Sequence, residues 1–123
     1  MVQDQITEKI IGAAMKVHSA LGPGLLESAY QACLLYELKE QGLNVESEVV
    51  LPVVYEGKEI DAGYRLDLLV EDQVIVELKS VEKTLPIHEA QLITYLKLSG
   101  CKVGLLINFN VKHLRDGLTR RVN

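Results

Sequence analysis

The sequence predicts an α/β (α+β) fold, in which helices cover a mostly antiparallel sheet. Residues 4–41 show helical periodicity, residues 45–80 change to short Val-rich segments, and a further helical segment precedes a last apolar strand. The 123 residues are 48% hydrophobic and 24% charged, which is typical of a globular chain with a real core. We therefore expect one domain over residues 1–123.

Two helices open the chain. The first is predicted over residues 4–20, where apolar side chains recur at helical spacing, and Gly22-Pro23-Gly24 ends it. The second is predicted from Leu25 to Gln41, with Gly42 as its terminating glycine.

Three strands are predicted next. Residues 45–55 form the first, and Pro52 within it indicates an edge position or a bulge. A turn at residues 56–58 leads to strands over residues 60–70 and 74–80, which Glu71-Asp72-Gln73 joins.

The remaining chain returns to the helical pattern. Pro86 begins a third helix that runs to Leu98, and Gly100 ends it. Residues 102–108 form a short apolar strand that we expect inside the sheet. The tail from Val111 fits either a turn of helix or a last strand.

The charge is unevenly distributed. The net charge of −4 argues against a protein that coats nucleic acid by bulk electrostatics. Residues 1–78 hold five basic and fourteen acidic side chains, whereas residues 79–123 hold eight basic and three acidic ones. An acidic part that holds a metal, beside a basic part that meets phosphates, is one interpretation. A solvated surface of uneven charge is the other, and charge alone favours it.

The sequence favours a cytoplasmic location. Cys33 and Cys101 lie in no metal-binding or paired pattern, so we expect reduced thiols. The first residues, MVQDQITEK, do not resemble a signal peptide, and no apolar run has the length of a membrane span.

The hairpin over residues 64–80, YRLDLLVEDQVIVELKS, carries charges where buried side chains are expected. If Glu71-Asp72-Gln73 is a three-residue loop, Asp67 lies directly opposite Glu77, with their Cβ atoms roughly 4.5–5.5 Å apart. Lys79 and Arg65 then share that face. The opposite face collects apolar side chains for the core: Leu66, Leu68, Val70, Val74, Val76 and Leu78.

Two opposed carboxylates destabilise a sheet unless something compensates their charge. Lys79 and Arg65, protonation of one acid, or a bound cation would each do so. Mg²⁺ takes one or two carboxylates and keeps waters for a phosphate substrate, and the Leu78 carbonyl offers a further oxygen. Lys79 would then stabilise an attacking hydroxide or a phosphoryl transition state. A surface laced with ordinary ion pairs is the competing interpretation.

Two helical segments bear on this choice. Gln91 and Tyr95 lie four residues apart, hence on one face of the third helix, where they could position a water or a phosphate. Glu27 lies in the first turn of the second helix, where it either complements the helix dipole or joins a metal site. A boundary tyrosine at residue 95 and a solvent-facing His88 are the corresponding structural interpretations.

Three motifs together resemble a known family. Asp67 followed by Glu77-Leu78-Lys79 resembles the PD-(D/E)XK nuclease signature, with Leu66 in place of its proline. Gln91 to Tyr95 looks like the QxxxY motif of RecB-type exonucleases, and Gly24-Leu-Leu-Glu27-Ser-Ala-Tyr30 matches the small GxxExxY proteins.

The resemblance implies a restriction-endonuclease-like αβββαβ core and a phosphodiesterase site that uses Mg²⁺ or Mn²⁺. Asp67, Glu77 and the Leu78 carbonyl would bind the metal, and Lys79 would be the catalytic lysine. Glu27 would be an additional acid, and Gln91 and Tyr95 would support the site. The nucleic-acid contacts expected on this reading are Arg65, Tyr30, Lys83 and His88. DNA is the expected substrate, and a homodimer or a partner protein could supply recognition.

Two other functions stay open at this point. A nucleic-acid- or protein-binding module could keep the fold without catalysis, because the chain is small and its net charge negative. A glycosidase could use two carboxylates roughly 5 Å apart. That reading leaves Lys79, Gln91 and Tyr95 unexplained.

Overall fold

A computed structural model describes all residues from 1 to 123. The helices are α1 (Gln3–Leu21), α2 (Glu27–Glu40) and α3 (Pro86–Ser99). The strands are β1 (Val45–Val50), β2 (Val53–Tyr55), β3 (Lys58–Ile60), β4 (Arg65–Val70), β5 (Val74–Lys79), β6 (Val103–Asn108) and β7 (Leu118–Val122).

Five strands form one mixed sheet in the order β1-β4-β5-β6-β7. Only β5 and β6 run parallel, and α3 makes the crossover between them; the other three neighbouring pairs are antiparallel. This arrangement confirms the predicted α/β class with a largely antiparallel sheet. It also brings the carboxyl ends of β5 and β6 to the same edge of the sheet.

Helices cover both faces of the sheet. The larger core lies on the side of α1 and α2, where Ile6, Ile10, Leu34 and Leu38 pack against the sheet. The smaller core lies under α3 and has seven buried members: Leu51, Leu66, Ile75, Leu92, Tyr95, Leu96 and Leu106. Each buried aliphatic side chain contributes about 1.5–3 kcal/mol to folding.

Two of the predicted strands are each divided. The strand predicted over residues 45–55 breaks after Val50, where the N–H of buried Leu51 donates to the Tyr64 carbonyl and Pro52 has no N–H to continue the ladder. The strand predicted over residues 60–70 breaks at residues 61–64, where Gly63 has φ of 89°. Between these breaks, β2 and β3 pair only with each other, and we call this pair the outer hairpin.

The ambiguous tail contains both predicted alternatives. A 3₁₀ turn at Leu114–Gly117 precedes β7, which pairs with β6. Gly117 has no room for a side chain, because a Cβ there would clash with the carbonyl oxygen of Asn108.

No helix in the structure combines the length and the apolar character that crossing a membrane requires.

Candidate active site

The hairpin between β4 and β5 has the register that its loop length predicts. Val70 pairs with Val74, and Leu68 pairs with Val76. Glu71 and Asp72 take left-handed φ values of 53° and 54°, which close the three-residue loop. The register carries Asp67 and Glu77 to neighbouring positions on adjacent strands.

The backbone ladder between the two strands stops at these acids. The N–H of Asp67 donates to Glu77 Oε2 at 2.8 Å, and the N–H of Leu78 donates to Asp67 Oδ2, also at 2.8 Å. Each carboxylate therefore accepts a backbone N–H from the opposite strand. One oxygen of each carboxylate makes these bonds, and the other makes no hydrogen bond within the protein. We call Asp67 and Glu77 the carboxylate pair.

The carbonyl of Leu78 faces the carboxylate pair. Within a strand, the N–H and C=O of one residue point to the same neighbouring strand. Because the Leu78 N–H bonds Asp67, its carbonyl points towards the same gap. The carbonyl of Lys79 points in the opposite direction, towards the end of β6, and accepts a hydrogen bond from the Phe109 N–H at 3.0 Å.

Burial raises the pKa of both carboxyls of the pair. Glu77 is 6% exposed, and its burial, together with the charge of Asp67, raises its pKa to about 8. Burial also raises the pKa of Asp67, against the opposing hydrogen bond from Leu78. The charge of Glu27 raises and that of Lys79 lowers the pKa of both carboxyls, so both groups lie within electrostatic range. At neutral pH the pair thus holds a proton that a cation could replace.

Glu48 is a further acid beside the site. It takes a left-handed φ of 52°, and the pairing of β1 with β4 skips the position where Glu48 would oppose Asp67. Gln31 on α2 donates to Glu48 Oε1 at 3.0 Å and to the Asp67 carbonyl at 3.2 Å. The sequence prediction missed both residues, since their proximity depends on the register of β1 against β4, which no local turn fixes.

The prediction of the core face of this hairpin is wrong for one residue, which packs on the other side of the sheet. Leu66 packs in the smaller core under α3, with its cross-strand partner Val49 beside it. The interrupted pairing on both sides of Asp67 lets the end of β4 depart from strict alternation. The remaining members, from Leu68 to Leu78, pack in the larger core as predicted.

The Gly24-Glu27-Tyr30 segment places Glu27 at the start of α2. Gly24 has φ of 100°, a conformation that side chains disfavour, and this turn brings Glu27 to the first helical position. The Tyr30 hydroxyl donates to the Gly22 carbonyl and accepts from the Leu25 N–H. Each residue of the motif thus helps to hold the turn from which Glu27 approaches the carboxylate pair.

Tyr30 is not available for the predicted contact with nucleic acid. The side chain is fully buried, and its ring stacks on Phe109 with centroids 4.5 Å apart. The sequence prediction was wrong here because an aromatic residue four positions before a core leucine fits either a surface or the core.

Lys79, Gln91 and Tyr95 meet around one groove, together with His88. This groove has a volume of about 690 Å³, and Asp67 and Glu77 are not among its lining residues. We call it the catalytic groove, for the role proposed for it below. Gln91 and Tyr95 lie on the same face of α3, as their spacing predicts. Burial and the charge of Glu77 raise the pKa of Tyr95, which places its hydroxyl in the field of the carboxylate pair. Tyr64, which sequence reasoning did not select, also lines the groove.

The three other residues predicted to contact nucleic acid lie at different places in the structure. Arg65 forms an ion pair with Asp61 at 3.1 Å, so it does not neutralise the carboxylate pair as the sequence had suggested. Lys83 is exposed in the segment between β5 and α3. His88 accepts the N–H of Leu85 through Nδ1 at 3.0 Å, which caps α3, and it also lines the catalytic groove.

Asn108 fixes the segment that follows Lys79. Its buried side chain accepts the Val81 N–H at 3.1 Å and donates to the Val81 carbonyl at 2.9 Å. Position 108 is also the register partner of Lys79 on β6. Sequence reasoning gave Asn108 no role, because an asparagine at the end of a strand is an ordinary surface residue.

A sequence profile of the PD-(D/E)XK nuclease superfamily matches residues 4–122. The chain therefore belongs to the PD-(D/E)XK nuclease superfamily. Comparison with curated proteins and with solved structures finds no significant match.

Proposed function

We propose that this protein is a nuclease of the GxxExxY type that hydrolyses phosphodiester bonds of nucleic acid with Mg²⁺ or Mn²⁺. The observation that carries the proposal is the carboxylate pair. Two acids interrupt a β-ladder with one free oxygen each, and the charge of Lys79, which lines the neighbouring groove, acts on both of them.

The residues fit a hard divalent cation. Asp67 and Glu77 would bind it through their free oxygens, and the Leu78 carbonyl would add a third. No group of three or more His, Cys, Asp or Glu side chains forms a metal cage anywhere in the chain. Mg²⁺ in phosphoryl-transfer sites is held in this way, by one or two carboxylates together with substrate phosphate and water. A cation bound there would polarise a phosphoryl oxygen and offset its charge.

The side chains around the carboxylate pair have different roles in the hydrolytic step. As the water oxygen attacks phosphorus and the bond to the leaving sugar oxygen breaks, negative charge grows on the phosphoryl oxygens. The Lys79 ammonium stabilises that charge and favours deprotonation of the water, whose proton passes to solvent while the leaving sugar oxygen takes a proton from solvent. Gln91 and Tyr95 donate hydrogen bonds that orient the phosphate or the water, and Glu27 adds an acceptor from the opposite side.

A basic groove supports nucleic acid as the substrate. It lies between the end of α1 and the segment after β6, has a volume of about 600 Å³, and is lined by Lys112, His113 and Arg115 but by no acid. Because β5 and β6 are parallel, this segment follows the same sheet edge at which Lys79 ends β5. Cations there would hold phosphates of the same strand at a distance from the scissile one.

We further propose DNA as the principal substrate and a cytoplasmic location. Cys33 and Cys101 are both unpaired thiols, which supports a reducing compartment. Residues 1–123 would act as one domain, and a homodimer or a partner protein would supply recognition beyond the basic groove.

Hydrolysis of labelled single- and double-stranded DNA and RNA, with Mg²⁺ or Mn²⁺, tests this proposal. We expect cleavage that EDTA abolishes and that Asp67→Ala and Lys79→Ala each reduce by at least about a hundredfold. Lys39→Ala is the matched control, because Lys39 is exposed in the last turn of α2 and lines neither the catalytic nor the basic groove. Activity unchanged in Asp67→Ala and Lys79→Ala would refute the proposal. Binding without hydrolysis in the wild type would instead indicate a binding module on the same fold.

A further inference from the structure

The catalytic groove is lined by both polar and apolar side chains. The polar ones are Lys79, His88, Gln91 and Thr94. The apolar and aromatic ones are Val53, Tyr64, Ile87, Ala90, Tyr95 and Leu98. Polar groups suffice to hold a phosphate, so the apolar side chains are available to a different part of the ligand.

The rim of the catalytic groove exposes large apolar side chains. Tyr64 is 43% exposed, Leu85 51% and Ile87 65%. The neighbouring outer hairpin adds Val54 and Tyr55, at 57% and 63%. Several exposed apolar side chains near a polar centre are typical of a ligand-binding surface.

Tyr64 is held in place by two contacts but remains partly exposed to solvent. Its carbonyl accepts the Leu51 N–H at 3.0 Å, which fixes the backbone beside the buried Leu51 side chain. Its ring meets Tyr95 edge to face, with centroids 6.0 Å apart and an interplanar angle of 63°. A tyrosine fixed in this way offers a flat apolar platform at little cost in side-chain entropy.

We propose that the catalytic groove binds an unpaired nucleobase, which stacks on Tyr64 and lies against Ile87. This inference rests on the proposed function and specifies its substrate: single-stranded nucleic acid, or a strand whose end or target base has left the duplex. A paired and stacked base cannot enter a groove beside its own phosphate, whereas an unpaired one exposes its faces to aromatic side chains.

The location of Tyr64 favours a base over a protein partner. Tyr64 contacts Tyr95, and both line the same groove as Lys79, so a ligand on Tyr64 is continuous with a phosphate at Lys79. A nucleotide joins an apolar base to an anionic phosphate within one molecule. A protein partner would not require a lysine beside the apolar side chains.

Fluorescence anisotropy of a short labelled DNA strand, alone and annealed to its complement, tests the proposal. The measurement is made in EDTA, so that hydrolysis does not interfere. We expect the wild type to bind the single strand more tightly than the duplex. Tyr64→Ala should weaken single-strand binding roughly 5- to 100-fold, while Tyr64→Phe retains it. Tyr36→Ala, which removes an exposed tyrosine from α2, should leave the affinity unchanged.

Ile87→Ser gives a second and independent variant, because Ile87 is too exposed for its loss to unfold the protein. We expect it to weaken single-strand binding several-fold. Equal or tighter binding of the duplex by the wild type, or unchanged single-strand affinity in Tyr64→Ala and Ile87→Ser, would overturn the inference. A dimer in sedimentation that Ile87→Ser dissociates, without any effect on DNA, would also overturn it and assign the rim to a second copy of the chain.

Different experimental outcomes would refute the nuclease proposal and the base-binding proposal. Single-strand binding that depends on Tyr64, without hydrolysis in Mg²⁺ or Mn²⁺, would refute the nuclease and keep the base site. Hydrolysis of duplex and single strand at equal rates, with Tyr64 dispensable, would refute the base site and keep the nuclease.

Discussion

Replacing Glu77 by glutamine should stabilise the metal-free protein at alkaline pH. The ionised Glu77 carboxylate is buried beside Asp67, whereas a glutamine carries no charge there. Its amide oxygen can still accept the Asp67 N–H, and its NH₂ group can donate to Asp67. Glu77→Gln therefore removes a repulsion and keeps the hydrogen bond that replaces the β-ladder.

The size of this effect follows from the raised pKa of Glu77. Its pKa rises from an ordinary 4.5 to about 8. At a pH above both values, ionisation of Glu77 therefore lowers the free energy of unfolding by at most about 5 kcal/mol. Water reaches the open side of the pair and screens part of this repulsion, so we expect a gain of about 2–4 kcal/mol. For a chain of this length that gain raises Tm by roughly 10 °C.

Thermal unfolding in EDTA, followed by circular dichroism at pH 5 and at pH 9, is the assay. At pH 5 the wild-type carboxyl is protonated and neutral, so the variant should melt close to the wild type. At pH 9 the variant should melt at a temperature well above that of the wild type. Glu46→Gln is the matched control, since Glu46 is exposed on β1 and should change stability by less than about 0.5 kcal/mol. A variant that melts at or below the wild type at pH 9 would refute the reasoning.

The remaining predictions concern metal, the turn before α2 and the segment after β5. Because Glu77 holds its proton more tightly in the folded protein than in the unfolded chain, the metal-free wild type should lose stability as pH rises from about 4.5 to about 8. Added Mg²⁺ at pH 9 should raise the Tm of the wild type but not that of Glu77→Gln in thermal scans, and an equal rise in both would contradict the site. Tyr30→Phe should lower the unfolding free energy by about 1–3 kcal/mol in urea titrations, against little change for the exposed Tyr36→Phe. Asn108→Ala leaves both backbone groups of Val81 unpaired and should cost about 2–3 kcal/mol in the same titrations, and full stability would contradict that role.

The sequence predicted the carboxylate pair because a local feature fixes it. The three residues between Val70 and Val74 determine the register of the hairpin, and a loop one residue longer would have placed Asp67 and Glu77 on opposite faces. The turn that the structure contains has this length. Helical spacing likewise placed Gln91 and Tyr95 on one face, since periodicity within one helix needs no knowledge of its neighbours.

Features that depend on distant pairing were missed. Glu48 approaches Asp67 through the register of β1 against β4, and its left-handed backbone is not signalled by any glycine. Tyr64 lines the catalytic groove only because the chain breaks at residues 61–64 before β4 begins. Tyr30 has the same pattern in sequence whether it faces solvent or the ring of Phe109, and only the packing of α2 on the sheet decides between them.

A crystal of the protein soaked in Mn²⁺, with anomalous diffraction recorded, tests the central claim most directly. We predict one strong peak between the free oxygens of Asp67 and Glu77, within bonding distance of the Leu78 carbonyl. The same soak of Glu77→Gln crystals should lack it. Absence of a peak at the carboxylate pair in the wild type, with both carboxylates still bound to the opposite backbone, would contradict the assignment of a metal-dependent nuclease site.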